Sequence, residues 1–428
     1  MKHLFFGGVH PSDKKSLSNN NMSFQTIIPE EVIIPLKQHI GVECTPLVKK
    51  GDYVLCGQKI ADGQGLCVPV HASVSGYVTK VEPCVSSSNN DVMSIVIKND
   101  FLNKSVDFKP YNNENVVEFI REKGIVGMGG ASFPTYAKIS GAIEKVDTLI
   151  ANGCECEPYI TSDDMLLRTK PEDVLNGMKF LNKFIKAQRL VLAIEDNKIE
   201  AIQKLQSLQE DFKEIEIAIL PTRYPQGSEK QLIQAVTGRE VPPQGLPGDV
   251  NCVVFNVTTL AAVNEAVTTG TPSIERMVTV SGEGIKNPQN FIVKVGTPVR
   301  DLVNAAGGLV EETELVINGG PMMGASFDDL ASPVTKSTNS ILCLLEQEVV
   351  SKKCIRCGKC LTVCPMKLQP LYLYKFSKAE NYNKLDKLNV VDCIGCGACS
   401  YTCPAKLPLS ATFKQTKIKM KEVKAKCN

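Results

Sequence analysis

Eight of the seventeen cysteines fall in two matching runs near the C-terminal end of the sequence. Cys354, Cys357, Cys360 and Cys364 stand before Pro365, and Cys393, Cys396, Cys399 and Cys403 before Pro404. Each run reads C-x2-C-x2-C-x3-C-P, and thiolates at that spacing wrap a [4Fe-4S] cubane. Two copies specify two clusters, so this part of the chain must fold around inorganic cores. Three closely spaced thiolates take three irons of one cluster, and the fourth cysteine crosses to the other. That rule gives Cys354, Cys357, Cys360 and Cys403 to one cluster and Cys393, Cys396, Cys399 and Cys364 to the second. Gly358, Gly395 and Gly397 suit a backbone that must approach the cluster sulfurs closely. Zinc also binds C-x2-C pairs, but a tetrahedral ion leaves the repeated third and fourth cysteines unexplained. A chain built this way moves electrons one at a time.

The 428 residues suffice for about three domains, and 43% hydrophobic content is that of an ordinary globular protein. With 48 basic and 46 acidic residues the net charge is +2, which offers no argument for nucleic acid or an acidic partner over the whole surface. Charge is uneven only at the end: six lysines against Glu422 from residue 414 onward read as a basic, solvated tail. The N-terminal stretch has no signal-peptide h-region, and no uncharged apolar run approaches bilayer-spanning length. The expectation is a cytoplasmic protein, or one peripheral on the cytoplasmic side of the membrane. Nine scattered further cysteines fit a reducing compartment rather than a disulfide framework.

Between residues 30 and 98, short β-rich runs punctuated by Gly and Pro predict a small barrel or sandwich. The phrase Val48-x2-Gly51-Asp52-x-Val54-x2-Gly57-Gln58, with Ser75-Gly76-x-Val78 later, resembles the lipoyl/biotinyl barrel-sandwich module. No lysine lies between Lys59 and Lys80, so the resemblance implies the scaffold without its carrier arm. From about 114 to 270, helical and strand-like stretches alternate, which predicts an α/β layer with a largely parallel sheet. A β-rich unit marked by paired glycines follows at about 277–320, and residues 371–389 read as a helical link between the two cysteine runs.

A glycine-rich loop at residues 124–130 precedes a helix start at Pro134, with Lys138 one turn further on. Loop N–H groups, the helix dipole and the lysine make that junction an anion site. It is neither G-x-G-x-x-G nor a Walker loop, and alone it reads better as a bland turn at a helix start. After the strand ending at Ala151 comes the acidic loop from Asn152 through Glu155 and Glu157 to Pro158, where open α/β sheets bind ligands. Further segments hold Tyr224, Pro225, Gln226, Gly227 and Glu229, then Asn256, Val257 and Thr258. All four histidines lie in the first 71 residues outside any hydrolase motif and read as structural. Asp163 and Asp164 are either nucleotide contacts or an exposed helix start.

These segments together resemble the flavin-binding subunit of respiratory NADH dehydrogenase. The resemblance implies that Gly127, Gly129, Gly130 and Lys138 cradle FMN, and that Asn152, Asn256 and Thr258 bond its ring or ribityl chain. It further implies that Tyr224, Gly227 and Glu229 flank the nicotinamide of NADH and that Glu155 and Glu157 line the same place. Met128 stands where that family has arginine, and Cys154 where it has aspartate. More of the chain resembles the RnfC family, a component of the Rnf electron-transport complex. The match runs from Phe6-Gly7-Gly8-Val9-His10-Pro11 through Pro69-Val70-His71 and Glu155-Cys156-Glu157-Pro158-Tyr159 to Gly319-Gly320-Pro321-Met322-Met323-Gly324 and both cysteine runs.

That resemblance implies a multidomain α/β chain: a barrel-sandwich hybrid at 1–110, an FMN/NADH-binding α/β domain at 111–273, a β-grasp SLBB module at 274–345, a ferredoxin-like 2[4Fe-4S] domain at 346–413 and the basic tail at 414–428. It implies an NADH-oxidising subunit of a membrane ion-translocating NAD:ferredoxin oxidoreductase. Its partners would be the other subunits and, indirectly, ferredoxin. NADH gives up electrons in pairs while each cluster takes one, which is why a flavin belongs between them. Two alternatives stay open: a soluble NADH-dependent flavin and iron-sulfur reductase, such as a cobalamin reductase or the electron donor of proline reductase, and a relay in which the glycine loop is structural.

Overall fold

The computed structural model describes residues 4–427 apart from 87–89, 131 and 346–349. Its described strands form four sheets. The first two make a sandwich. Strands Glu31–Pro35, Asp91–Asn99, Gly76–Val85 and Tyr53–Val54 form one layer; Thr45–Pro46, Lys59–Asp62 and Val70–His71 form the other. Alternation puts Val32 and Ile34 inward with Val54, Ile60, Val78, Ile95 and Ile97. The sandwich leans on the next domain. Arg121 pairs with Asp62, Lys59 with Glu122, and the Tyr136 hydroxyl donates to the Gly65 carbonyl at 3.3 Å.

The central sheet is parallel throughout, in the spatial order Ile215–Leu220, Arg189–Glu195, Thr148–Gly153, Cys252–Asn256. Near-continuous apolar runs such as Arg189–Glu195, buried over most of their length, belong to strands covered on both faces. The chain leaves Thr148–Gly153 toward one side and returns to its other side with Cys252–Asn256, so the order in which strands are added reverses between these two parallel strands. Ligands of open α/β sheets sit at such a reversal, beyond the strands' C-terminal ends. Helices Pro171–Ile185 and Val257–Thr269 cross closely because Gly177 lies against the Leu260 carbonyl, where a Cβ would collide. Helix Glu229–Thr237 is not among the expected elements, although Ser228, Glu229 and Gly238 are ordinary start and stop residues.

A six-stranded mixed sheet follows, ordered Gln25–Ile27, Gln289–Lys294, Glu275–Ser281, Ser340–Leu345, Thr313–Asn318, Ala325–Ser326, with helix Val299–Ala305 packed on it. Its edge strand comes from the N-terminal part of the chain: Gln25–Ile27 pairs in parallel with Phe291–Val293. Ahead of it, an extended arm ties distant parts together. Gly8 donates to Val363 O at 2.9 Å, and Val9 and Tyr224 exchange backbone hydrogen bonds.

In the C-terminal unit, helices Pro370–Lys378 and Tyr382–Lys387 lie between the cysteine runs, as the sequence predicts. The basic tail departs from expectation. Residues Leu409–Cys427 form one helix that buries Phe413, Thr416 and Met420, and Lys414 and Lys417 donate to the carbonyls of Met323 and Cys393. The expected boundary at residues 345–346 touches residues outside those described. No helix among the described residues is long and apolar enough to cross a membrane.

Candidate functional site

The eight clustered cysteines ring two separate cavities. One is lined by Cys354, Cys357, Cys360 and Cys403; the other by Cys364, Cys393, Cys396 and Cys399. Each cavity thus takes three thiols from one run and one from the other. Among the described residues no three His, Cys, Asp or Glu side chains converge tightly enough for a single metal ion. Thiols spread around a cavity fit a cubane better than a zinc ion. Gly358, Gly395 and Gly397 adopt φ of 76°, 67° and 79°, a conformation in which a side chain is strained. Backbone N–H groups reach the sulfurs there: Gly395 lies 3.4 Å from Cys393 Sγ and Arg356 3.4 Å from Cys354 Sγ.

The glycine loop sits at the sheet reversal. Asn152 and Asn256 are the last register pair between their neighbouring strands. The Gly127 N–H donates to Phe133 O at 2.8 Å and the Met128 N–H to Thr259 Oγ1 at 2.9 Å, which folds the loop over the start of helix Val257–Thr269. Asn256 caps that helix, accepting from the N–H groups of Thr258 and Thr259. A Cβ on Gly129 would lie 2.7 Å from Asn256 Nδ2, whereas one on Gly130 would meet nothing within 4 Å. Gly130 therefore borders space that no described residue fills. Ala131 lies outside the described residues. Lys138 donates to Glu229 Oε1 at 3.0 Å and Val254 O at 2.9 Å, which keeps its charge on this rim.

Asp163, for which the sequence allows either a nucleotide contact or an exposed helix start, organises the floor instead. It is half-buried, accepting from Asn256 Nδ2 at 2.7 Å and Thr258 Oγ1 at 2.7 Å. Burial pushes its carboxyl up, against the pull of those two donors and of Arg276. Asp164 is buried, paired with Arg168. Asn152 is committed to protein as well, donating to Gly227 O at 2.8 Å and accepting from the Cys154 N–H.

The acidic pair does not face open solvent. Glu155 accepts from the Asp163 N–H at 2.9 Å, with Lys15 and Lys198 3.8 and 3.9 Å from its other oxygen. Burial pushes Glu155 up to about 7 despite these lysines, and pushes Lys198 down to about 8 with Lys15 adding to the effect. Lys15 also donates to the carbonyls of Glu155, Glu157 and Ile160, pinning the loop. Glu157 accepts from the Met322 N–H at 3.1 Å, and its Oε1 lies 3.4 Å from the Tyr224 hydroxyl oxygen. Burial pushes Glu157 up to about 7 as well.

For Glu157 the raised value means that the folded state holds the proton more tightly than the unfolded chain. Its contribution to stability is full below about pH 4.5, is lost as pH rises to about 7, and is constant above that. The melting temperature of Glu157→Gln relative to wild type, followed from about pH 5.5 to 8.5, is therefore expected to move in the variant's favour up to about pH 7 and then to level off. A flat difference across that range would place the Glu157 carboxyl at its ordinary value.

Tyr224, expected beside the nicotinamide, is committed through its hydroxyl to a protein partner. It is 2% exposed, and its hydroxyl donates to the carbonyl of Cys396 at 2.6 Å. Tyr224 thus joins the acidic loop to the second cysteine cavity. Gly227 lies against the Cys154 carbonyl, and its N–H points at Cys156 Sγ, 3.3 Å away. Tyr224→Phe leaves the buried Cys396 carbonyl unpaired and is expected to cost about 1–3 kcal/mol in denaturant unfolding. Equal stability of the two proteins would show the bond to be dispensable.

Four family models match successive parts of the chain: the RnfC barrel sandwich hybrid domain at residues 3–102, the Nuo51 FMN-binding domain at 120–265, the SLBB domain at 277–326 and a 4Fe-4S dicluster domain at 347–404. A relative from Acetobacterium woodii, a component of its Na(+)-translocating ferredoxin:NAD(+) oxidoreductase complex, is 42% identical over 407 residues, covering 92% of this chain and 91% of that protein. A component of the ion-translocating oxidoreductase complex of Klebsiella pneumoniae is 40% identical over 432 residues, covering 98% of this chain and 57% of its own longer sequence. Among solved structures, an NAD+-reducing [NiFe]-hydrogenase in the H2-reduced state aligns at a TM-score of 0.49 and 21% identity, covering 70% of this chain and 59% of that one.

Proposed function

Because the chain belongs to the RnfC family of ion-translocating oxidoreductase complexes, we propose that it carries electrons between NADH and the other subunits of such a complex through FMN and two [4Fe-4S] clusters. The observation that carries this reading is the Tyr224 hydrogen bond. It joins the domain matched by the FMN-binding model to the carbonyl of Cys396, in the wall of a four-cysteine cavity. Bound FMN would supply the exchange between a two-electron hydride donor and one-electron carriers.

Gly127, Gly129 and Gly130 would let the backbone approach the flavin's phosphate and ribityl groups, with Lys138 lending positive charge at the rim. Asn152, Asn256 and Thr258 shape the floor under the ring, held by Asp163. Glu155, Glu157, Gly227 and Glu229 would border the nicotinamide, and the raised carboxyls of Glu155 and Glu157 reduce the negative charge that meets the dinucleotide phosphates. The second cavity, which touches Tyr224, would hold the cluster nearer the flavin, and the first cavity the cluster nearer the surface. Ferredoxin would be reached only through other subunits, and the chain would sit peripherally on the cytoplasmic face of the membrane.

NADH oxidation by the purified chain, with ferricyanide as acceptor, tests the reading. Activity that requires added FMN supports it. No oxidation by protein that holds flavin and both clusters would sink it.

A further inference from the structure

The two cysteine cavities differ in what surrounds them. Cys364, Cys396 and Cys399 are buried, whereas Cys354 and Cys357 are exposed. The exposed pair lies in a basic setting: Lys352, Lys353, Arg356, Lys359 and Lys406 all face solvent, and none forms an ion pair with a described residue. Between residues 350 and 379 the sequence has seven basic residues and no acid. Two apolar side chains stand among these charges, Val350 at 60% and Ile355 at 68% exposure, the latter lining the cavity itself. The chain as a whole is nearly neutral at +2, so a one-sign patch here is local.

Like charges that no described residue pairs, set around an exposed apolar pair, repel one another until an opposite charge meets them, and such patches steer and orient a complementary partner. From these observations we propose that the face around Cys354 and Cys357 is the electron-exchange surface of this chain, docking onto an acidic surface of a protein that carries its own redox centre. The inference rests on the electron-transfer reading and adds to it the exit point and the partner's chemistry. One electron crosses per encounter, one centre being oxidised as the other is reduced, and no atom is transferred. An anionic lipid surface would also match the charge, but lipid accepts no electron, and the patch is centred on cluster ligands.

The test uses the assembled complex and the isolated chain. Lysine acetylation followed by mass spectrometry is expected to find Lys352, Lys353 and Lys359 about fivefold or more less reactive in the complex, and carbodiimide is expected to couple them to Asp or Glu of another subunit. Equal reactivity in the two preparations overturns the proposal. So does protection by phosphatidylglycerol vesicles alone without any carbodiimide coupling. In the complex, the combined Lys352→Glu, Lys353→Glu, Lys359→Glu variant is expected to slow delivery of electrons from NADH to the other subunits about tenfold and to flatten its salt dependence. Delivery at the wild-type rate and salt dependence would contradict it. Bleaching of bound flavin by NADH in the isolated chain, measured in parallel, reports on the functional reading separately, because that step does not use this face.

Discussion

Serine in place of Cys364 is expected to remove a whole cluster, and to remove the one whose other ligands lie in the distant run. Cys364 lines the cavity of Cys393, Cys396 and Cys399, not that of its sequence neighbours. Iron per chain should fall from about eight to about four, because a cubane that loses one thiolate at a cavity shaped for four is poorly held. Pairwise variants make the assignment sharp. Cys364→Ser with Cys396→Ser should lose no more iron than either alone, since both act on one cluster. Cys364→Ser with Cys360→Ser should empty both cavities. Cys403→Ser should behave as the mirror image, grouping with Cys354 and Cys357. If instead Cys364→Ser with Cys360→Ser retained about four irons, each run would bind its own cluster and the crossing would be wrong.

Alanine at Gly130 and at Gly227 should separate binding from folding. A Cβ at Gly130 meets no atom of the described residues within 4 Å, and the residue is outside the positive-φ region, so the folded protein accommodates it. If the backbone there approaches the flavin, FMN affinity should fall about tenfold, the equivalent of about 1.4 kcal/mol, with the melting temperature of the flavin-free protein unchanged. At Gly227 a Cβ would run into the Cys154 carbonyl, a backbone atom that cannot move alone. The acidic loop must shift, at a cost of about 1–3 kcal/mol in stability and with flavin content reduced as a consequence. Equilibrium titration with FMN beside thermal melts reads both. Unchanged FMN affinity in Gly130→Ala would show that the open space beside this glycine is not the flavin's.

The parts of this architecture legible in the sequence are those written locally. Cysteine spacing names a cluster type because a cubane imposes its geometry on a dozen consecutive residues. The alternation of apolar runs and amphipathic stretches between residues 114 and 270 points to the parallel sheet, because strands covered on both faces need unbroken apolar runs. What escapes is non-local. Lys15 secures the Glu155 loop from far along the chain, and nothing around it marks it as destined for burial. Gln25–Ile27 joins a sheet whose neighbouring strand is Gln289–Lys294, and three residues carry too little pattern to reveal it.

The site shows the same division. The asparagines are legible as strand-end residues, but their commitment to protein partners depends on Asp163 and Gly227, which only the folded sheet brings near. In the sequence Asp163 looks like a residue matched to a helix dipole, because that local explanation is sufficient. Resemblance puts Tyr224 beside a nucleotide. Its actual partner, the carbonyl of Cys396, belongs to another domain.

The central claim is that one chain joins a flavin to two clusters in electronic contact. An anaerobic titration of the purified chain with NADH, after acid extraction has identified and counted the flavin, tests it most directly. The account predicts one FMN and two clusters per chain, with NADH bleaching the flavin and then the iron-sulfur absorbance. Two intact clusters without flavin, or with flavin that NADH leaves oxidised, would contradict it.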